Sequence, residues 1–311
     1  MLPEQFYKFK LIMCGISGSN LYGTNTEYSD EDIRGVFIPT KEYFLGFSKR
    51  IEQIEVSGND EVYYDIRKFF KLCLECNPNI VELLFVPENK LLNFTKEWYH
   101  ILQYKEHIIS KKARYTFAGY AISQLKRIER HRSWLLNPPK KQPMREDFGL
   151  PNDKKLVTKE QLNAFKELES MGKEMELDIH TMQVLEREKA FQNANAEWGE
   201  YINWKTNRNP ERAILEEKFR YDTKHASHLY RLITEGKELL LTGHITFPRP
   251  DVDILIQIRN GDITYEYLVN EMVGNFEESF DLWYNNSTLR NKPDNDIVDK
   301  LCIELVKNTT N

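Results

Sequence analysis

The spacing of apolar positions changes character near residue 90. Ahead of it the apolar runs are short: "KFKLIMCGIS" stops at a glycine-rich turn and predicts a buried strand feeding that turn. "DIRGVFIP" predicts a second strand closed by Pro39, and "EVYYDI" alternates Val, Tyr and Ile as a third strand does. "RKFFKLCLEC" has helical spacing instead and should stop at Asn77-Pro78, because the residue before a proline is pushed out of the helical region. "NIVELLFVP" fits a fourth strand or a helical turn equally well. From Asn93 onward the spacing is helical, with long stretches at "FTKEWYHILQYKEHII", "ARYTFAGYAISQLKRIERHRSWLL", "TKEQLNAFKELESMG", "MELDIHTMQVLEREKAFQNANAEWGEYINWK", "ERAILEEKFRYDTKHASHLYRLITEG" and "DNDIVDKLCIELVKN". Thr158 followed by Gln161 forms a capping-box signature. The expected architecture is a small α/β domain over 1–92 followed by a mainly helical domain over 93–311, with a Pro-rich linker near 137–157.

Composition adds little to that picture but narrows the class. With 41% hydrophobic and 29% charged residues the chain reads as an ordinary globular protein. No apolar run approaches the roughly 20 residues of a membrane helix, and "MLPEQFYKFK" lacks the basic start and apolar stretch of a signal peptide. A cytoplasmic protein without a membrane partner is therefore expected. Cys14, Cys73, Cys76 and Cys302 include a single Cys-x-x-Cys with no second pair downstream, so neither a zinc site nor a disulfide framework is expected. Cys73 and Cys76 read as small core residues of an amphipathic helix.

Charge changes the picture more. The net charge is -5, yet between His100 and Arg145 the chain carries eleven Lys and Arg against two acids, Glu106 and Glu129. A polarised molecule of this kind can hold a polyanion locally. Tyr115, Phe117, Tyr120, His131 and Trp134 interleave with these cations, as on a surface that pairs phosphates with stacked bases, although aromatics at helical spacing are more often core. Lys126, Arg130 and Arg132 are the candidates for contacting a nucleic-acid backbone. Trp198, Tyr201 and Trp204 read as a packing stripe.

The densest chemistry lies in "GISGSNLYGTNTEYSDEDIRGVFIP". Its glycines let backbone amides approach a ligand, and Ser19 can open a helix whose unsatisfied N–H groups favour phosphate. Asp30 and Asp32 project to one face if the strand begins that early, and a divalent cation would relieve their repulsion. Hard oxygen donors without a Cys/His set favour Mg²⁺ over zinc. The Lys-Ser/Thr ending of a P-loop is missing, which disfavours a Walker-type ATPase. In "RYDTKHASHLYRL", Lys224, His228 and Arg231 fall on one helical stripe, and the cations there speak against a zinc site built from Asp222, His225 and His228.

Gly18-Ser19, a short helix and Asp30-x-Asp32 resemble the signature of the DNA polymerase β-type nucleotidyltransferase superfamily. Closer still, "GSNLYGTNTEYSDEDIRGVFIP", "YYDIRKFFKLCLECNPNIVELLFVP", "FAGYAISQLKRIERHRSWL" and "YDTKHASHLYRL" resemble the nucleotidyltransferases of the RlaP and YcgL type, found beside RNA-ligase repair genes. The resemblance implies a mixed-sheet nucleotidyltransferase domain, Asp30 and Asp32 as metal ligands, and Gly18 and Ser19 as nucleotide contacts. It also implies a third carboxylate from a neighbouring strand, and it raises Lys224, His228 and Arg231 to substrate or triphosphate contacts. Asp65 is expected to be that third acid, with Asp60, Glu61 and Glu82 as alternatives; a one-residue slip in register would exchange the Asp65 and Glu61 face for Asp60.

The function so implied is metal-dependent transfer of an NMP from an NTP to an acceptor hydroxyl, with Mg²⁺ or Mn²⁺. An RNA 3′ end is the expected acceptor, and a functional link to an RNA ligase the expected context. The alternatives are transfer to a protein or small molecule, as in toxin-like or antibiotic-modifying members, and an inactive nucleotide-binding module. For Lys224, His228 and Arg231 to serve, the helical segment must fold back over the glycine turn.

Overall fold

The computed structural model describes residues 9–27, 29–47, 50–56, 58, 60–152, 156–171 and 178–310. Its sheet contains β1 (Lys10–Ser17), β2 (Asp32–Ile38), β3 (Gln53–Val56), β4 (Glu61–Asp65) and β5 (Leu91–Phe94) in the order β3-β4-β2-β1-β5. β2 and β4 run parallel and the other pairs antiparallel, so the sheet is mixed. The helices of the first half are α1 (Gly18–Tyr22), α2 (Lys41–Leu45), α3 (Ile66–Leu74), α4 (Pro78–Val81), α5 (Lys96–Leu102), α6 (Lys105–Ile108) and α7 (Ala113–Leu136). Those of the second half are α8 (Lys159–Ser170), α9 (Ile179–Asn207), α10 (Pro210–Phe219), α11 (Thr223–Thr242), α12 (Val252–Asn260), α13 (Tyr265–Tyr267), α14 (Phe276–Asn286) and α15 (Asn295–Thr310). A mixed sheet with helices followed by a mainly helical region is the class expected from sequence.

The interior of β1, Leu11 to Cys14, is continuously apolar because both of its faces are covered. Leu11 and Cys14 join Phe37, Ile54 and Tyr63 in a core on one side of the sheet. α3 and α5 pack close to the sheet. α3 buries Ile66, Phe69, Phe70 and Cys73, the i, i+3, i+4, i+7 stripe of an amphipathic helix, and each such aromatic or aliphatic side chain contributes about 1.5–3 kcal/mol. Cys73 and Cys76 are buried and free, and burial pushes both thiols up, which suits core residues and not a redox pair.

"NIVELLFVP" resolves into α4 followed by a 3₁₀ turn, Glu82–Phe85. The stretch read as one helix from Phe94 breaks between α5 and α6, and the one from Glu211 breaks at Arg220, which takes a left-handed φ of 64° before Asp222 caps α11. The capping box at Thr158 and Gln161 is formed. Residues 153–155 of the expected linker, and 175–177 at the start of the expected helix from Met175, lie outside the described residues.

By packing, the chain forms two compact units, one of residues 1–129 with 222–311 and one of residues 130–221. In the first, α11 lies close to α12 and α14; a Cβ at Gly236 would stand 2.6 Å from the Phe280 ring, so only glycine permits this approach. In the second, Leu162, Phe165 and Leu185 form one core. A second cluster joins Trp134, Tyr201 and Trp204 with Trp198 and His131, so the expected packing stripe is met by aromatics from the basic segment. Among the described residues no helix is long and apolar enough to cross a membrane.

Candidate active site

β1 ends at Ser17, which pairs with Asp32 at the start of β2, and the chain turns between them through α1. Gly18 makes the turn possible twice over. Its φ is +61°, and a Cβ there would lie 1.8 Å from Asp32 Oδ2. The glycine backbone and this carboxylate are therefore packed against each other. Ser19 accepts the amides of Gly23 and Thr24 at its carbonyl, both at 3.0 Å, which closes α1 after little more than one turn.

Asp32 does not stand alone. Ile33 N donates to Asp60 O at 3.0 Å as β2 runs beside β4, and this places Asp60 next to Asp32. Burial, followed by the hydrogen bond and charge of Asp60, raises the Asp32 carboxyl to about 6, and the same hydrogen bond lowers Asp60. Asp32 is thus the harder of the two neighbouring acids to ionise. Arg34 bridges the two, 3.3 Å from Asp60 Oδ1 and 3.8 Å from Asp32 Oδ1, and the charge of Lys224 also acts on both. Arg34 went unnoticed in the sequence, although its i+2 spacing from Asp32 on a strand puts it on the same face.

Asp30 is exposed and lies ahead of β2, so strand geometry does not align it with Asp32; its carbonyl accepts from Asn20 Nδ2 at 3.1 Å. Asp65 is placed elsewhere. It is paired with Phe37, four positions beyond Ile33 or roughly 13 Å along the strands, and strand alternation puts it on the face opposite Asp32. There it is 1% exposed and caps α3, accepting from the amides of Arg67 and Lys68 and from the Arg67 guanidinium. The structure therefore brings Asp60, and not Asp65, to Asp32. Glu61 takes the hydroxyl of Tyr63 on the core side, and Glu82 is buried against Tyr22 and Arg231.

α11 does return to the glycine turn. Its N-cap Asp222 accepts the amide of His225, whose Nδ1 lies 2.8 Å from Gln124 Oε1 of α7. Lys224 is exposed and acts on the Asp32–Asp60 pair. His228 is held neutral: burial, then Arg231 and the neighbouring cations, lower it to about 3, and its Nε2 is buried without a hydrogen-bond partner. Arg231 is buried between Glu82, Glu235 and the Tyr22 ring, so its guanidinium is not presented to solvent. Lys126 is exposed on α7; Arg130 pairs with Glu200, and Arg132 is half-buried, both in the second unit.

Asp32 and Asp60 fit a hard divalent cation in their donor atoms and in their closeness, whose repulsion Arg34 and Lys224 offset only in part and an ion could offset further. They fit less than a complete cage. Arg34 already faces both acids, and among the described residues no three His, Cys, Asp or Glu side chains are grouped to hold a metal.

Residues 3–137 match the model of RlaP, the RNA repair pathway DNA polymerase beta family. The RlaP match takes in the glycine turn, Asp32, Asp60, Asp65 and the basic helix α7, and it stops before Lys224, His228 and Arg231. An 84-residue stretch is 30% identical to the uncharacterized protein YcgL of Bacillus subtilis (strain 168), covering 26% of this chain and 32% of that protein. The similarity thus spans about a third of the relative's length. No solved structure matches the chain.

Proposed function

We propose that the protein is a metal-dependent nucleotidyltransferase that moves an NMP from an NTP to an acceptor hydroxyl, the acceptor being the 3′ end of an RNA under repair. The observation that carries this reading is the turn at Gly18, closed against Asp32, with Asp60 beside it on β4 and Arg34 bridging the two acids. The match to a polymerase beta family of RNA repair supports the reaction class and the acceptor. In this reading the nucleotidyltransferase segment 1–92 supplies the turn and the acids, and the helical segment beyond it supplies cations.

Gly18 and Ser19 present backbone and hydroxyl groups to the nucleotide phosphates, and Lys224 draws the triphosphate toward the acids by charge. Neutral His228 offers a hydrogen bond to an uncharged group of the nucleotide. Asp32 and Asp60 hold Mg²⁺ or Mn²⁺, with Asp30 nearby in sequence, and the bound ion supplies charge neutralisation for phosphoryl transfer and for the leaving pyrophosphate. A two-metal form would need its second ion to arrive on the triphosphate. Lys126, Arg130 and Arg132 contact the acceptor backbone, in the cytoplasm and beside an RNA ligase.

The test is a labelling assay with each α-labelled NTP, Mg²⁺ or Mn²⁺, and either mixed RNA 3′ ends or protein extract. Label on RNA that disappears with Asp32→Asn supports the reading. Label on protein, or none on RNA, overturns the RNA acceptor.

A further inference from the structure

The family resemblance implies that Arg231 contacts substrate or triphosphate, but the fold gives it other partners. Its Nη1 donates to Glu235 at 2.9 and 3.0 Å and to Glu82, and its guanidinium carbon stands 3.9 Å from the centre of the Tyr22 ring. Tyr22 in turn donates its hydroxyl to Glu82 at 2.7 Å. Arg231, Glu82 and Glu235 are 6%, 1% and 0% exposed, so the group is sealed from solvent. A buried guanidinium paired in this way is costly to disturb, because losing one partner leaves the other charged and unmatched.

The connectivity gives the group a consequence for the site. Tyr22 ends α1, the helix that Gly18 opens, and Glu82 begins the 3₁₀ turn after α4. Arg231 and Glu235 lie on α11, with Lys224 two turns before Arg231 on the same stripe. The α12 side holds the same turn: Arg249 N, ahead of α12, donates to Tyr22 O, and the Arg259 side chain on α12 donates from Nη1 to Thr24 O, both at 3.0 Å. The turn that faces Asp32 and the helix that carries Lys224 are thereby joined through one buried guanidinium.

We propose that Tyr22, Glu82, Arg231 and Glu235 form a strut that fixes the Gly18–Tyr22 turn against α11, and that Arg231 is a positioning residue which does not touch the nucleotide. This rests on the reading above that the turn and Lys224 bind the nucleotide. Two carboxylates around one guanidinium are balanced only while one keeps a proton. Burial, opposed by the charge of Arg231 and reinforced by that of Glu82, holds the Glu235 carboxyl up to about 8, and Tyr22, Arg249 and the neutral His228 also act on the cluster. The strut is protonated below that value and loosens as pH rises through it.

The experiment uses the full chain with Tyr22→Phe, Arg231→Lys and Glu235→Gln, and reads two quantities. The first is amide hydrogen exchange over residues 18–24; the second is affinity for ATP, AMP and tripolyphosphate with Mg²⁺ by calorimetry. Tyr22→Phe and Arg231→Lys are expected to speed exchange and to weaken ATP and AMP by the same factor, roughly tenfold. Glu235→Gln keeps the neutral form permanently and should hold ATP affinity flat between about pH 7 and pH 9, where wild type declines. Unchanged exchange in Tyr22→Phe overturns the strut even if Arg231→Lys fails to fold. Selective loss of ATP and tripolyphosphate with AMP affinity retained in Arg231→Lys makes Arg231 a direct phosphate contact and also overturns it. If wild type binds no nucleotide, the nucleotidyltransferase reading fails on its own and the exchange data alone decide the strut.

Discussion

At the start of β2, Asp32 meets a second carboxylate, Asp60, with Arg34 and Lys224 as the cations that oppose their repulsion. At the end of β4, Asp65 meets two helix amides and the guanidinium of Arg67, and the strand pairing carries it to the other face of the sheet. One residue type on adjacent strands is left under electrostatic tension in the first place and fully satisfied in the second. The difference separates an acid held against another acid beside the glycine turn from one that terminates a strand and starts a helix. Buried acids with complete hydrogen bonding stabilise a fold; acids held close together oppose each other's ionisation, which is the pattern on which the proposed site rests.

Removing Asp32 has the largest expected effect. Asp32→Asn should lower nucleotidyl transfer by about 10³-fold while leaving the folded fraction unchanged, because it deletes charge needed only in the reaction and relieves a repulsion in the fold. Activity measured against folded protein by circular dichroism checks both halves. Gly18→Ala comes next: its Cβ collides with Asp32 and its φ disfavours any side chain, which costs about 2–3 kcal/mol in denaturant unfolding and displaces the carboxylate. Asp65→Ala should cost about 1–2 kcal/mol through the lost cap on α3, with transfer per folded molecule close to wild type.

A smaller effect sharpens the same contrast through pH. Burial opposes ionisation of Glu97, yet its bond from Lys10 Nζ at 2.8 Å wins and brings the carboxyl down to about 2 from an ordinary 4.5. A depressed carboxyl contributes stability above its unfolded value and loses it as pH falls, so the window here runs from about 4.5 down to about 2, with a slope of at most about 1.4 kcal/mol per pH unit. Lys10→Met should flatten that part of a stability profile measured by urea unfolding.

Much of this was legible in the sequence, and the parts that were not have physical reasons. β1, β2 and β4 announced themselves through apolar runs and alternation, and α7 through spacing sustained over six turns. β3 and β5 have four residues each, too few for a period to show. The break at Arg220 is a left-handed residue without a glycine to mark it. The turn and Asp32 were visible because they lie close in the chain. Asp60 was visible only as an alternative, since its role depends on the register of a parallel pair, and one step of register exchanges the two faces. Of the two acids that occupy Arg231, Glu235 lies at the i+4 spacing a helix makes visible, whereas Glu82 is 149 residues away and no local pattern reports it.

The most direct test of the account is the pair Asp60→Asn and Asp65→Asn, assayed side by side for transfer of α-labelled nucleotide and each corrected for its folded fraction. Asp60→Asn is expected to lose transfer as Asp32→Asn does, while Asp65→Asn loses stability and keeps its activity. Transfer that survives Asp60→Asn and vanishes in folded Asp65→Asn would contradict it.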